Sequence, residues 1–248
     1  MRRVALAAVA IFALAAAPHA GASGSCIVRG KAIAGVARSR VLAELGPLVA
    51  YRVRGRSADT WWACRTNFPD TPVKLGTDES YQDGANEYGP AVTLGRLHLS
   101  IGGFVFFYRE SNLESYAECT KYYDYPCSGP TGTLLAASLL ERRIGVVDRF
   151  ATDSLDAHGA DSSTTLTRVV VGVDGRVAWL LHRQAATTAG PQAPVDTLYG
   201  CTVTVRARTP GCVTQVLATG TIPPDSLALH VDTVTFTDNG TSQVAVIP

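Results

Sequence analysis

Residues 169–180, VVVGVDGRVAWL, indicate the architecture of the chain. The segments Val169–Val173 and Arg176–Leu180 carry the short apolar patterns that are typical of β-strands. Asp174-Gly175 separates them, and an Asp-Gly pair favours a tight hairpin because its turn needs positive φ angles. The stretch therefore predicts an antiparallel β-hairpin.

Three further hairpins repeat this pattern along the chain. The paired segments are Arg40–Leu45 with Leu48–Val53, Leu97–Ile101 with Phe104–Tyr108, and Leu227–Val231 with Val234–Phe236. Their expected turns are Gly46-Pro47, Gly102-Gly103 and Asp232-Thr233. Valines at equivalent positions of the second strands, Val49, Val105, Val177 and Val234, lie 56, 72 and 57 residues apart. This regular spacing predicts four repeats.

A third and a fourth strand are expected after each hairpin. An aromatic residue and a small residue come before the cysteine that ends the third strand, at Cys64, Cys119 and Cys201. Fourth strands are expected at 71–75, 133–137 and 213–218, and loops at 76–90, 145–163 and 184–194. The last repeat has a third strand at 243–247, and we expect the N-terminal segment 31–35 to supply its fourth strand.

The chain is therefore predicted to be an all-β domain of four repeats of four antiparallel strands, a small β-propeller-like architecture. The repeats are expected at 39–90, 91–162, 163–225 and 226–248, with 31–35 completing the last one. Closure in this way removes exposed sheet edges. An antiparallel β-sandwich, which also has strands at regular spacing, is the alternative.

One hairpin also resembles a known family. The segment Asp174-Gly-Arg-Val-Ala-Trp179 is similar to the Asp-Gly-Arg/Lys-x-Ile-Ala-Phe hairpin of TolB-type propeller repeats, whereas the other three repeats keep only the apolar pattern. The resemblance implies a propeller fold and a role as a protein-interaction scaffold. It implies no catalytic residues.

The N-terminus has the pattern of a secretory signal peptide. Arg2 and Arg3 precede the apolar run 4–17, and Ala20-Gly21-Ala22 supplies small residues for cleavage after Ala22. The run is too short for a spanning helix, which disfavours an uncleaved anchor. We expect a signal peptide at 1–22, a single domain at 23–248, and a location outside the cytoplasm, either secreted or in the cell envelope.

The six cysteines agree with export, because an even number in an exported chain predicts disulfides. Local spacing pairs Cys119 with Cys127 and Cys201 with Cys212, which leaves Cys26 with Cys64. The last bond has two interpretations: it ties the closing sheet to the first one, or the N-terminal strand lies elsewhere. Zinc is the competing interpretation of the cysteines, but their spacing matches no zinc template. We expect no metal and no cofactor.

Three arginines form the first candidate site. Five residues separate each of Arg40, Arg96 and Arg168 from the predicted turn, and Ser226 takes this position in the last repeat. On the same strand face, Glu44, Ser100, Gly172 and His230 align. Converging guanidinium groups at the innermost strands bind carboxylate or phosphate. The alternative is three structural arginines, each paired with a backbone carbonyl or an acidic loop.

Two loops are further candidates. Tyr122, Tyr123 and Tyr125 lie between Cys119 and Cys127 and offer flat, amphipathic contact area for a protein or a sugar; the alternative is a turn whose rings fold back on the sheet. Acidic residues crowd two loops, at Asp78, Glu79, Asp83 and Glu87 and at Asp153, Asp156 and Asp161. Neither loop matches a calcium-binding pattern, so solvated loops are favoured.

Composition and motifs reduce the number of protein classes to which the chain could belong. The net charge of +1 disfavours a nucleic-acid binder, and 46% hydrophobic with 17% charged residues excludes a disordered chain. No Gly-x-Ser-x-Gly or His-Glu-x-x-His motif supports catalysis. We therefore expect a monomeric binding protein for an unknown protein or glycan. A secreted hydrolase with a site at the channel mouth is the alternative, and an envelope structural protein is a third class.

Overall fold

The computed structural model describes residues 26–28, 31–32, 39–83, 86–111, 131–155, 161–187 and 190–248. The expected signal peptide, the Cys119–Cys127 pair and the tyrosines at 122, 123 and 125 lie outside these ranges. The described chain is all-β and antiparallel, as predicted. Its strands form four small sheets of three or four main strands, and the sheets do not join into a closed barrel.

The first two sheets follow one another along the chain. The first contains β3 (Ser39–Leu45), β4 (Leu48–Val53), β5 (Ala58–Arg65) and β6 (Phe68–Asp83). The second contains β7 (Asn86–Ser100), β8 (Phe104–Ser111), β9 (Thr131–Ser138) and β10 (Arg143–Ala151). The long β6–β7 hairpin continues the hydrogen bonding from one sheet into the next.

The third and fourth sheets complete the series. The third contains β12 (Asp161–Val171), β13 (Arg176–Thr187), β15 (Val195–Thr202) and β18 (Gln215–Gly220), with the short strands β11 (Asp153–Leu155) and β14 (Gly190–Pro191) at its edges. A small hairpin, β16 (Thr204–Arg206) and β17 (Thr209–Gly211), lies between β15 and β18. A 3-10 turn, Pro224–Ser226, leads into β19 (Ala228–His230), β20 (Thr233–Asp238) and β21 (Thr241–Val246).

The four repeat valines are all fully buried, at Val49, Val105, Val177 and Val234. Small residues or cysteines lie opposite them on the third strands, at Cys64, Ala137, Cys201 and Ala245. The last three valines belong to the apolar clusters that join each sheet to the one before it. The valine spacing thus marks a real structural repeat, in which successive sheets pack face to face.

The first sheet has no preceding sheet, and its valine packs instead against the N-terminal segment. Cys26 is fully buried with Val49, Tyr51 and Cys64, and it forms a disulfide with Cys64. The segment continues as β1 (Ile27–Val28) and β2 (Lys31–Ala32), which pair with each other. The expectation that 31–35 completes the last repeat is therefore not met by its described part, because Lys31–Ala32 lies at the other end of the series. The structure agrees with the second interpretation of the Cys26–Cys64 bond, in which the N-terminal strand does not complete the last repeat.

The strand assignment of the second repeat also needs correction. Thr131–Ser138 was expected to include a fourth strand, but it pairs directly with β8 and is the third. The fourth strand is Arg143–Ala151, where a loop was expected from residue 145. The residues between β8 and β9 make this repeat longer than the others. The expected loops at 76–90 and 184–194 are largely extensions of the β6–β7 hairpin and of β13 with β14.

Turn lengths differ from the prediction in two repeats. The second and third hairpins turn over three residues, because Ser100 pairs with Phe104 and the N–H of Gly172 bonds the carbonyl of Arg176. Gly103 and Gly175 have φ angles of 87° and 88°, which end these turns in the left-handed region. The fourth hairpin turns at Val231-Asp232, one residue before the predicted Asp232-Thr233, because His230 pairs with Thr233. The predicted alignment of Glu44 with Ser100, Gly172 and His230 is therefore wrong by one residue. Counted from the valines, Glu44 corresponds to Leu99, Val171 and Leu229.

Candidate functional site

The first strands of the four sheets lie side by side in chain order. β3 contacts β7, β7 contacts β12, and β12 contacts β19. We call these four strands the inner strands. Arg40, Arg96 and Arg168 lie on the first three of them, so the structure places the predicted arginines on neighbouring strands.

Hydrogen bonds fix β7 against β12 along their length. Arg96 Nη1 donates to the carbonyl oxygen of Thr167 at 2.8 Å, and the Ser100 hydroxyl donates to the carbonyl of Gly172 at 2.6 Å. The backbone N–H of Gly102 closes the series on the carbonyl of Val173 at 2.6 Å. The relative position of Arg96 and Arg168 is therefore set by a seam between the second and third sheets.

Arg96 is aimed across this seam by a β-bulge. The register of β7 with β8 shifts between Gly95 and His98, and Arg96 itself has a φ angle of 47°. A positive φ is uncommon for a residue other than glycine, and bulges commonly re-aim a side chain. The bulge therefore turns Arg96 towards β12 rather than along the regular face of β7.

His98 lies two residues after Arg96 on β7 and is partly buried. Its burial is the main cause that lowers the pKa of the imidazole below its ordinary value, and the charges of Arg168 and then Arg96 lower it further. Both guanidinium groups are thus close enough to act on one half-buried histidine. At neutral pH the imidazole is uncharged and presents one donor and one acceptor nitrogen.

The two arginines have no acidic partner among the side chains that the structure describes. Both residues are exposed, and no carboxylate of those side chains lies within ion-pair distance of either guanidinium group. Burial and the nearby Glu110 raise the pKa of Tyr108, and Arg96 opposes this effect. We call Arg96, His98 and Arg168 the inner-strand site.

Arg40 and Ser226 do not join this site by any described contact. Arg40 is exposed on β3 opposite Arg52, and its side chain has no ion pair with the side chains that the structure describes. Ser226 lies in the 3-10 turn, where its hydroxyl bonds the carbonyl of Pro223 and accepts the N–H of Thr237. Of the three predicted arginines, the structure links Arg96 to the residue before Arg168, and the charges of both act on His98, which the sequence pattern did not assign to them.

The carboxylates of Asp78 and Asp148 accept hydrogen bonds from groups on other strands. Asp78 accepts the indole N–H of Trp61 at 3.0 Å and the backbone N–H of Leu94 at 2.8 Å, and it lies 3.4 Å from Arg52. Asp148 accepts the indole N–H of Trp179 at 2.8 Å. The Asp78 contacts join the first sheet to the second, and the Asp148 contact joins the second to the third. The carboxylate of Asp78 is therefore a structural group rather than a calcium ligand.

A histidine–carboxylate pair lies on the third sheet. His182 Nδ1 is 2.7 Å from Asp196 Oδ1, and Asp196 Oδ2 accepts the backbone N–H of Ile222 at 2.8 Å. No hydroxyl or thiol of the described ranges hydrogen-bonds to His182. Among the described residues the pair therefore has no hydrogen-bonded nucleophile. Through the bond from Ile222 to Asp196, it fixes the connection from the third sheet to the fourth. The described residues also contain no group of acidic, histidine and cysteine side chains that could hold a metal ion.

The spacing-based disulfides are present where the structure describes them. Cys26 is bonded to Cys64, and Cys201 to Cys212, with Cα atoms 5.8 and 5.9 Å apart. No helix of membrane-spanning length and hydropathy occurs in the part of the chain that the structure describes.

Comparison with known proteins adds little. No known protein family matches the chain, and no curated protein matches it. Among solved structures, the crystal structure of Porphyromonas gingivalis dipeptidyl peptidase 4 is similar, with a TM-score of 0.40 and 16% identity. The match covers 81% of this chain and 29% of that one. A similarity of this size carries no activity over to this protein.

Proposed function

We propose that this chain is an exported binding protein whose inner-strand site takes an anionic group, a carboxylate or a phosphate, of a protein or glycan partner. The observation that carries the proposal is the hydrogen bond from Arg96 to the carbonyl of Thr167, the residue before Arg168, with no described carboxylate side chain in an ion pair with either arginine. Two like charges held near each other repel, and a bound anion relieves this repulsion while accepting charge-assisted hydrogen bonds.

The state of His98 supports the same role. A neutral imidazole adds a donor to the two guanidinium groups and no net charge of its own. A bound anion would counter the two arginine charges that lower the pKa of His98, so binding should raise that pKa. The two disulfides support export, because disulfides persist in oxidising compartments.

Calorimetric titration with inorganic phosphate and with malonate, at low ionic strength, tests the proposal. We expect one site, weakened by salt, and a loss of about tenfold or more in affinity for Arg168→Gln, because a charge-assisted hydrogen bond contributes about 1.5–3 kcal/mol. Arg149→Gln is the matched control, since Arg149 is equally exposed but lies on the outermost strand of the second sheet. An equal loss in the control, or no binding of either anion, would show the proposal to be wrong.

A further inference from the structure

A concave site lies away from the inner strands. The β16–β17 hairpin, the segment that follows it and Pro248 enclose a groove of about 480 Å³. This volume is within the range of small-molecule sites, about 300–1000 Å³. We call it the hairpin groove.

The hairpin gives the groove a polar wall. Thr204 pairs with Gly211, and Arg206 pairs with Thr209, so these four residues share one face of the hairpin. All four line the groove. The Cys201–Cys212 disulfide joins the two ends of the hairpin segment, which holds this wall to the third sheet.

Gly211 leaves space in the middle of the wall. A Cβ atom built on Gly211 meets nothing within 4 Å, and the backbone of Gly211 is not in the left-handed region that requires glycine. The missing side chain is therefore not needed for the turn, and it keeps the groove open where Thr204 lies opposite.

The opposite side of the groove offers an amide and an apolar surface. Gln215 lines it with a side chain that both donates and accepts, and Val213 is 74% exposed beside it. Thr202 and Pro248 also line the groove, and the Thr202 hydroxyl fixes Pro248 by donating to its carbonyl at 2.5 Å. Arg206 has no ion pair with a described carboxylate.

We infer that the hairpin groove binds an acidic saccharide, a sugar unit that carries one carboxylate. One guanidinium group matches one carboxylate through paired hydrogen bonds. The Thr204 and Thr209 hydroxyls and the Gln215 amide match a ligand with several hydroxyl groups, and Val213 suits the apolar C–H face of a sugar ring. A lining with one cation and several neutral polar groups fits this ligand better than a phosphate-rich one. The inference goes beyond the inner-strand site and does not depend on it.

The test uses the full chain and two disaccharides that differ by a single carboxylate, cellobiouronate and cellobiose, in calorimetric titration. We expect cellobiouronate to bind at least tenfold more tightly than cellobiose. Arg206→Gln should reduce the affinity for cellobiouronate to that for cellobiose, and Gly211→Phe should abolish the binding of both. Arg208→Gln is the matched control, because Arg208 lies in the turn that follows Arg206 but is not among the residues that line the groove.

Each result decides the inference. Unchanged binding in Arg168→Gln, with loss in Gly211→Phe, places the sugar in the hairpin groove rather than at the inner strands. Equal affinity for the two disaccharides, no binding of either, or an equal loss in Arg208→Gln would overturn it. Thermal unfolding of Gly211→Phe checks that the fold is intact, and Thr204→Phe, which fills the groove from the facing strand, repeats the test if it is not.

Discussion

Arg96 donates a hydrogen bond from its side chain to the backbone carbonyl of Thr167, the residue just before Arg168. This one contact joins the inner strands of two sheets and fixes the Arg96 side chain to the residue that precedes Arg168. Part of the Arg96 side chain is therefore structural, which agrees with the alternative interpretation in which an arginine pairs with a backbone carbonyl. The residue is otherwise exposed.

The Arg96 bulge has a testable energetic signature. Arg96→Ala removes the bond to Thr167, which contributes about 0.5–1.5 kcal/mol, and keeps a Cβ atom at a positive φ angle. Arg96→Gly removes the same bond but relieves that strain. We therefore expect Arg96→Gly to be at least as stable as Arg96→Ala in urea unfolding. A glycine variant clearly less stable than the alanine variant would show that the bulge is unstrained.

His98 makes stability depend on pH in a defined direction. The folded state holds the pKa of His98 below its unfolded value, so the unfolded chain binds more protons near and below pH 6.5. Stability is complete above that pH and falls as the pH drops through the unfolded pKa. His98→Gln should reduce the loss of unfolding free energy between pH 7.5 and pH 5.5. His230→Gln, on the exposed end of β19, is the control that should leave the loss unchanged.

Phosphate should shift the same titration. The chemical shifts of the His98 ring, followed by NMR across pH, should give a higher pKa with saturating phosphate than without it, because the anion favours the imidazolium. The Arg168→Gln variant should show a smaller phosphate-induced shift. If the pKa of His98 is the same with and without phosphate, the anion does not bind at the inner-strand site.

The two described disulfides should differ in their contribution to stability. Cys26–Cys64 closes 38 residues and Cys201–Cys212 closes 11. In the chain-entropy account, these loops correspond to roughly 4 and roughly 3 kcal/mol. Cys26→Ala with Cys64→Ala also removes two members of the buried cluster that contains Val49 and Tyr51. We expect this double variant to have the lower midpoint in urea, and the opposite order would contradict the role of the N-terminal segment.

Trp179 and Asp148 provide a further prediction. Burial raises the pKa of Asp148, whereas its bond from the Trp179 indole lowers it. Trp179→Phe keeps an aromatic ring beside Tyr199 but leaves the carboxylate without that donor. The loss should be about 1–3 kcal/mol at pH 7 and smaller at pH 4, where Asp148 is more often protonated and neutral. A loss independent of pH would show that only packing has changed.

The repeat and the disulfide spacing could be predicted because they depend on local sequence. Buried valines at regular intervals and cysteines across short turns are visible without the fold. The turn lengths were wrong by one residue, since Asp-Gly and Gly-Gly suit two-residue and three-residue turns alike. The strand Arg143–Ala151 was missed because its charged residues, Arg143, Asp148 and Arg149, interrupt the apolar alternation.

The site could be predicted only in part for a different reason. The position of Arg96 was visible as a recurrence, but its direction depends on a bulge between β7 and β8, and its hydrogen-bond acceptor lies 71 residues away on β12. His98 was not assigned to the site because its register, counted along a straight strand, differs from that of the arginines. A tertiary contact, rather than a periodic pattern, brings these side chains together.

The buried Cys26 gives the series of sheets a direction. At the first sheet a covalently held segment takes the place of a preceding layer. At the last sheet the described chain leaves the opposite face uncovered, and Val244 and Val246 are 65% and 62% exposed there. Among the described residues the series is therefore closed by Cys26 at the first sheet and open at β21, so an apolar layer added by design would find exposed valines on the side of β21.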